Sequence, residues 1–493
     1  MKRLKPSFAF FVLTYFAFQV TAYTQELGGA QKNEAPNILV FIADDVSWND
    51  FGCYGNTFVD TPNIDALAAN GMRFDNAILT ASSCSPSRIS IMTGRYPHNT
   101  GAAELHTEPK VDFGSIASSL KANGYYTGQA GKWHMGNLLR KGFDKIYEKR
   151  QVNGDGGEDM WIPSIEERDK NKPFFFWFAA YDAHRTWGEN NFSNTHKIGQ
   201  IDVPPTLIDN DSTRTDLAQY YDEIKRFDHH IGKVVESLKA QGVYENTLII
   251  IMADNGRPFP RDKTRMYDSG MKTPFIAHWP KGLVKGTSKG LISSVDLAPT
   301  ILDACNVAIP ESFQGKSFKK LFSDPSKNFR NYAFAEHNWH DHEAHERMAR
   351  TKDFIYILNS RPQFQNQGPA DALNSSSFRS LQRQNKNNGL TRAQYDVFLA
   401  PRPSEELYFV KKDSLQLDNV INYKEYNAVQ NKLKNELQKW MEETGDGIPE
   451  HLTKDWYTRD GGKKIEQNLN VRGEMPGNRT GAEHLNARSG FDD

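Results

Sequence analysis

Asn37-Ile38-Leu39-Val40-Phe41-Ile42-Ala43 is an unbroken apolar run, partly β-branched, that stops on Asp44-Asp45. Without polar alternation it reads as a strand buried on both faces. Thr247-Leu248-Ile249-Ile250-Ile251-Met252-Ala253 repeats the pattern and stops on Asp254-Asn255-Gly256. A third run, Pro173 to Tyr181 (PFFFWFAAY), ends at Asp182-Ala183-His184-Arg185. Strands of this kind belong in a largely parallel sheet, whose ligand sites lie beyond the strand C-termini. Taken alone, Asp44-Asp45 could be a solvated turn. Two such strands, each ending in a pair of oxygen donors, point instead to one shared cation. The donor set of Asp44, Asp45, Asp254 and Asn255 suits calcium or magnesium rather than zinc.

The segments between alternate strand and helix. Thr61-Pro62 opens a helix to about residue 70, with Thr61 as N-cap, and a strand follows from Arg73 to Leu79. Ser115 to Asn123 is a helix closed by Gly124, and Tyr125 to Ala130 is a strand delivering Gly131-Lys132-Trp133-His134. On extended chain Lys132 and His134 share a face. Apolar residues at three- and four-residue spacing predict a helix from Ser212 to Gln241, with Asp228-His229-His230 on its surface. Pro274 to Trp279 is a strand and Asp296 to Cys305 a helix. Beyond residue 330 the texture changes. Residues 336–347, with His337, His340, His342, His345 and Arg347, read as a solvated or substrate-facing loop, and a zinc site there lacks the usual spacing. Phe354 to Asn359 and Glu406 to Val410 are strands, residues 360–390 a long loop, and Glu425 to Thr444 an amphipathic helix. The expected division is a leader over 1–22, a tether over 23–35, an α/β domain over 36–335, a smaller α+β subdomain over 336–445, and an irregular or mobile tail over 446–493.

The leader rests on Lys2, Arg3 and Lys5, the apolar run Phe8 to Val20, and the small-residue cleavage site Val20-Thr21-Ala22. That run is short for a membrane span, so the protein is expected to be exported, periplasmic or secreted, with no stable membrane insertion after cleavage. A net charge of −1 over 493 residues gives no reason to expect nucleic acid as a partner. Three cysteines, Cys53, Cys84 and Cys305, make no disulfide framework.

Cys84-Ser85-Pro86-Ser87-Arg88 suits the first turn of a helix, and Thr93-Gly94-Arg95 follows. Cys84 would sit where the helix dipole favours an anion, with Arg88 one turn on. Three readings arise: a small buried hydrophobe, a nucleophile with a lowered pKa, or a residue modified in place. The third comes from likeness. Cys84-x-Pro86-Ser87-Arg88 with Thr93-Gly94-Arg95, the Gly131-Lys132-x-His134 segment, and the pairs Asp44-Asp45 and Asp254-Asn255 resemble the type I sulfatases in the same order along the chain.

The resemblance implies an α/β fold, an alkaline-phosphatase-like mixed sheet sandwiched by helices with a smaller C-terminal subdomain. It implies conversion of Cys84 to Cα-formylglycine (3-oxoalanine) by a maturation enzyme. One Ca2+ ion would be held by Asp44, Asp45, Cys84, Asp254 and Asn255. Arg88, Lys132, His134, His184 and Lys263 would line the sulfate pocket, with His184 or Lys263 protonating the leaving oxygen and His134 taking the proton that regenerates the aldehyde. Ser82-Ser83-Cys84, Asp182-Ala183-His184-Arg185 and Asp254-Asn255-Gly256-Arg257-Pro258 look most like the sulfamidase-like branch. Lys263, however, stands where that pattern has an Arg, as in most O-sulfatases. The expected activity is therefore hydrolysis of sulfate esters on a sulfated polysaccharide or its oligosaccharides, with algal ulvan favoured. An N-sulfoglucosamine sulfohydrolase is the alternative, and a sulfated-glycan-binding protein without turnover a third reading. A phosphatase or phosphodiesterase of the same superfamily would show a Ser or Thr nucleophile and a His-rich two-metal site. His106, His337, His340, His342, His345 and Arg347 are candidates for sugar recognition.

Overall fold

The Asn37–Ala43 run forms β1 in the middle of an eight-stranded sheet in the computed structural model, which describes residues 35–365 and 368–491. The leader and nearly all of the tether expected before β1 lie outside the described residues. The other strands are β2 (Met72–Ile78), β3 (Tyr126–Gly131), β4 (Lys145–Tyr147), β5 (Phe174–Ala179), β6 (Thr247–Ala253), β7 (Phe275–His278) and β8 (Gly286–Ser293), in the spatial order β4-β3-β5-β1-β6-β7-β2-β8. All pairings are parallel except those of β7, which runs antiparallel to β6 and β2. Register fixes where the strands end: Ile42 pairs with Ala179, Ala43 with Ala253, and Gly131 with Ala179. Residues 44–45, 132–134, 180–184 and 254–255 therefore leave the sheet at one edge.

Alternate residues of β1 face opposite sides, as strand geometry dictates. Ile38, Val40 and Ile42 join a core with Ile116, Leu120, Leu297 and Ile301, from the helices Ile116–Ala122 and Leu297–Ala304. Leu39, Phe41 and Ala43 face Leu217, Ile224, Ile231 and Leu238 of the thirty-residue helix Asp211–Ala240. No helix among the described residues is long and apolar enough to cross a membrane.

Three local expectations are corrected. Thr61 does not cap the helix Pro62–Ala69: its hydroxyl accepts from Gly52 N and donates to Asp65. That helix is capped instead by Asp228, whose carboxylate accepts from the N–H of Ile64 at 2.7 Å and of Asn63 at 3.3 Å. Asp228 is thus buried rather than helix surface. Residues 336–347 are no loop: β9 (Ala333–His340) and β10 (His342–Arg350) form a hairpin in a second, antiparallel sheet, completed by β11 (Phe354–Asn359) and β12 (Glu405–Phe409). Some of its buried polar side chains are paired inside the fold, Glu336 with His98 and Asn338, and Arg347 with Asp446. Compensation of this kind lets a polar sequence be buried.

Within the expected loop 360–390 lies a helix, Ser376–Lys386, capped by the Ser375 hydroxyl, with Phe378 and Leu381 in the same core as the long helix. The tail beyond residue 445 is irregular, with three short 3-10 turns, and it is docked: Arg95 donates to the carbonyls of Glu483 and Leu485.

Candidate active site

Cys84 is the first residue of the helix Cys84–Thr93 and is 2% exposed. Its Sγ lies 3.7 Å from Asp44 Oδ1 and 3.8 Å from Asp45 Oδ1. Arg88, one turn along, donates through Nε to Asp254 Oδ2 at 2.7 Å and lies 3.5 Å from Asp44. Lys132 Nζ binds Asp44 Oδ2, and Lys263 Nζ binds Asp45 Oδ2 at 2.8 Å. Asn255 Nδ2 donates to Asp45 Oδ1 at 2.6 Å. The ends of β1 and β6, one helix N-terminus and two lysine-bearing loops thus meet at a single point. Gly131 makes this approach possible. At φ +96°, a Cβ there would lie 1.9 Å from Ala179 O, so only glycine lets β3 close on β5 just before Lys132.

Burial pushes the Cys84 thiol well above the ordinary range, despite Lys132 and Lys263. Burial by itself thus works against a lowered thiol pKa. Burial also raises Asp44, but Lys132 and Arg88 outweigh it and hold that carboxyl below its usual range. Burial keeps Asp254 above it.

Whether these residues suit a metal can be tested on the pocket itself. Donor atoms of Asp44, Cys84 and Asp254 all lie within 4.8 Å of one another, as do those of Asp45, Cys84 and His184. Asn255 Oδ1 is buried with no hydrogen-bond partner, beside the carboxylates of Asp44, Asp45 and Asp254. An orphaned buried oxygen beside carboxylates is what a hard divalent cation would satisfy. The residues fit.

Around this floor stand three histidines. His134 Nε2 is hydrogen-bonded to His106 Nδ1 at 2.8 Å, and the His106 N–H donates to Ser85 Oγ at 2.8 Å. Burial, then Lys132, pushes His134 well below the usual histidine range, and burial brings His106 to about 4. His184 Nε2 lies 3.9 Å from Asp45 Oδ2 and 3.7 Å from Asp371 Oδ2. Asp45, His106 and His134 have φ of 60°, 62° and 50°, conformations that non-glycine residues keep only where the surroundings hold them. A cleft of about 640 Å³ opens from Asp44, Lys132 and His184 past Tyr181, Trp187 and Arg150.

The structure sorts the six sugar-recognition candidates. His106 stands beside His134, and His340 Nδ1 lies 2.7 Å from Ser83 Oγ, next to Cys84. His337, His342 and His345 line, together with His340, a cavity of about 30 Å³ with Arg361, Arg402 and Arg459, room for a water molecule. Arg347 is fully buried and donates to both oxygens of Asp446. Two residues near the site had no signal in the sequence. Asp371 lies in the stretch read as a loop, and Arg472 in the tail, where no motif surrounds it.

The mixed sheet between two helical layers, with an oxygen-rich cluster at its C-terminal edge, defines an alkaline-phosphatase-like α/β fold. The Sulfatase family profile matches residues 36–307, and that of the N-sulphoglucosamine sulphohydrolase C-terminal region matches residues 259–360. An ulvan-active sulfatase of Formosa agariphila is 30% identical over 440 residues, spanning 85% of this chain and 82% of that protein. Human N-sulphoglucosamine sulphohydrolase is 31% identical over 311 residues, spanning 56% of this chain and 61% of the human one. The structure of BT4656 in complex with its substrate D-glucosamine-2-N,6-O-disulfate superposes with a TM-score of 0.64 at 22% identity, covering 83% of this chain and 98% of that one. The chain belongs to the sulfatase family, with a stretch that matches the N-sulphoglucosamine sulphohydrolase C-terminal profile, and is a sulfuric ester hydrolase.

Proposed function

We propose that this protein is an exported, calcium-dependent sulfatase that hydrolyses sulfate esters on a sulfated polysaccharide or its oligosaccharides, ulvan foremost, after a maturation enzyme converts Cys84 to Cα-formylglycine. The observation that carries the reading is the convergence of Asp44, Asp45, Asp254, Lys132 and Lys263 around Cys84 at the N-terminus of its helix. The 30% identity to an ulvan-active sulfatase supports the choice of polysaccharide. The apolar run from Phe8 to Val20 supports export. By the same reading residues 36–335 form the catalytic domain and 336–445 the subdomain that borders the sugar.

A hydrated aldehyde at position 84 supplies a hydroxyl nucleophile, and a divalent cation on Asp44, Asp45, Asp254 and Asn255 supplies positive charge beside it. The remaining roles fall to side chains of this chain. With the carboxylates so occupied, Lys132 and Lys263 are left as uncompensated cations for the sulfate oxygens. Arg88 holds Asp254 and Asp44 in place. His184, about a third exposed at the mouth of the cleft, is placed to give a proton to the departing sugar oxygen. His134, kept neutral by burial, is placed to accept one. His106 and His340 stand nearest for contact with the sugar.

N-sulfated glucosamine remains the second reading, because the N-sulphoglucosamine sulphohydrolase profile matches residues 259–360. Protein matured in a formylglycine-forming host, assayed for sulfate release, decides among these readings. The panel is lyase-digested ulvan, carrageenan oligosaccharides and N-sulfated glucosamine oligosaccharides. Release from ulvan fragments is the expected result. Release from N-sulfated sugars alone would replace the ester reading. Retained binding with no release, and Cys84 shown by mass to be formylglycine, would leave a binding protein. Cys84→Ala should lose all turnover, and a parental rate in that variant would end the mechanism.

A further inference from the structure

Neither family profile reaches beyond residue 360, yet the tail returns to the pocket. Arg472 is the centre of that return. Its guanidinium donates through NH1 to Glu104 Oε2 at 3.1 Å and through NH2 to the carbonyl of Leu105 at 2.7 Å. It packs against a pair of indoles, 4.3 Å from the ring centres of both Trp339 and Trp456. Those rings are 4.5 Å apart, and each is itself tied to the tail: Trp339 Nε1 donates to Lys454 O, and Trp456 Nε1 to Val471 O. Thr453 Oγ1 donates to the same Glu104 oxygen at 2.8 Å. The Leu105 N–H is taken by Trp339 O at 3.1 Å, so both backbone groups of Leu105 are fixed by this one assembly.

The next residue is His106. It has a φ of 62°, a conformation that its own backbone does not favour, and it is the partner of His134. Cys84, Leu105 and Trp339 form one apolar cluster against which Trp456 packs. The route from the tail to the reacting residues thus passes through two adjacent residues: Arg472 to Leu105, and His106 to His134.

We infer that Arg472 is a positioning residue of this enzyme, holding the 104–106 turn so that His106 orients His134, and that the tail between Thr453 and Arg472 braces that turn. The inference rests on the sulfatase reading of the pocket for its kinetic consequence but not for its structural one. A bidentate, stacked guanidinium is not replaced by an ammonium, so Arg472→Lys keeps the charge toward Glu104 and loses the span to Leu105.

Two measurements on the full chain test it. The first is hydrogen exchange in Arg472→Ala, read at the peptide containing His106. Exchange there should rise at least about tenfold, since the His106 N–H bond to Ser85 depends on the turn, while peptides of β1 stay protected. Unchanged exchange would overturn the inference whatever the enzyme does. The second is kinetics on a small aryl sulfate, in protein with Cys84 conversion confirmed by mass. Arg472→Ala should lose about tenfold to a hundredfold in kcat with little change in KM, Arg472→Lys should lie between, and Arg472→Ala in a His106→Ala background should cost little more. Fully additive losses would make Arg472 a purely structural residue and overturn the proposal. Altered exchange in a parent that releases no sulfate from any substrate would uphold the positioning and sink only the sulfatase reading. Should Arg472→Ala fail to fold, Arg472→Lys carries both tests.

Discussion

Arg88 Nε and Asp254 Oδ2 are 2.7 Å apart with both side chains entirely buried. Removing one member of such a pair strands a charge in a low-dielectric interior, which costs about 3–5 kcal/mol. Arg88→Ala is therefore expected to lower the unfolding free energy by that amount in urea titrations. Arg88→Lys should recover part of it, because an ammonium restores the charge but cannot reach Asp254, Asp44 and the Lys132 carbonyl together. A loss of under about 1 kcal/mol in the alanine variant would show that the pair is not what holds Asp254.

Calcium should act on stability as well as on turnover. The cluster of Asp44, Asp45 and Asp254 is preformed, so an ion that binds only the folded chain stabilises it by mass action. At a hundred times its dissociation constant the gain is about 2.7 kcal/mol. Chelator-treated protein should gain thermal stability on titration with Ca2+, and Asp45→Asn should blunt the gain. An unmoved melting curve in Ca2+ and in Mg2+ would remove the cation from the site.

His345 provides a test by pH. It is fully buried, and burial first, then Arg347, brings its pKa down to about 3 against Asp446 nearby. In the unfolded chain the ring takes a proton below about 6.5, while in the folded chain it stays neutral until about 3. The unfolded state thus binds more protons across that window, and stability falls as the pH drops through it. By about pH 4.5 the loss from this one residue is about 2–3 kcal/mol. His345→Gln should cost stability at pH 7 through lost packing and recover about that much relative to the parent at about pH 4.5. An equal difference at both pH values would show that His345 titrates normally.

What the sequence disclosed and what it hid divide along physical lines. The strands β1, β5 and β6 were legible because both their faces are buried, and the run of apolar residues then has only one explanation. Asp44, Asp45, Asp254 and Asn255 were legible with them, as the residues that follow such strands. The hairpin of β9 and β10 was hidden because its buried side chains are polar, some of them compensated by partners far away in the chain, as Arg347 is by Asp446. Asp228 was hidden for the same reason, since it caps a helix through Asn63, 165 residues earlier. Arg472 had no local signal at all: its meaning lies in the two indoles and the Leu105 carbonyl that surround it.

Gly131 and Gly124 separate the backbone's demand for glycine from the pocket's. Both have positive φ, 96° and 86°. Around Gly124, at the end of a surface helix, a Cβ would meet nothing within 4 Å, whereas at Gly131 it would strike Ala179 O at 1.9 Å. Gly124→Ala should therefore cost only the conformational strain, about 1 kcal/mol, with turnover by the folded protein unchanged. Gly131→Ala must in addition push β3 from β5, breaking the bond from Lys132 N to Ala179 O and carrying the Lys132 ammonium away from Asp44. Its stability should fall further than that of Gly124→Ala. Sulfate release should fall about a hundredfold, the scale on which a displacement of an ångström is felt at a reacting centre. Both substitutions are read by one urea titration and one sulfate-release assay. If Gly131→Ala turned over at the parental rate, the position of Lys132 would not depend on the close approach of these two strands.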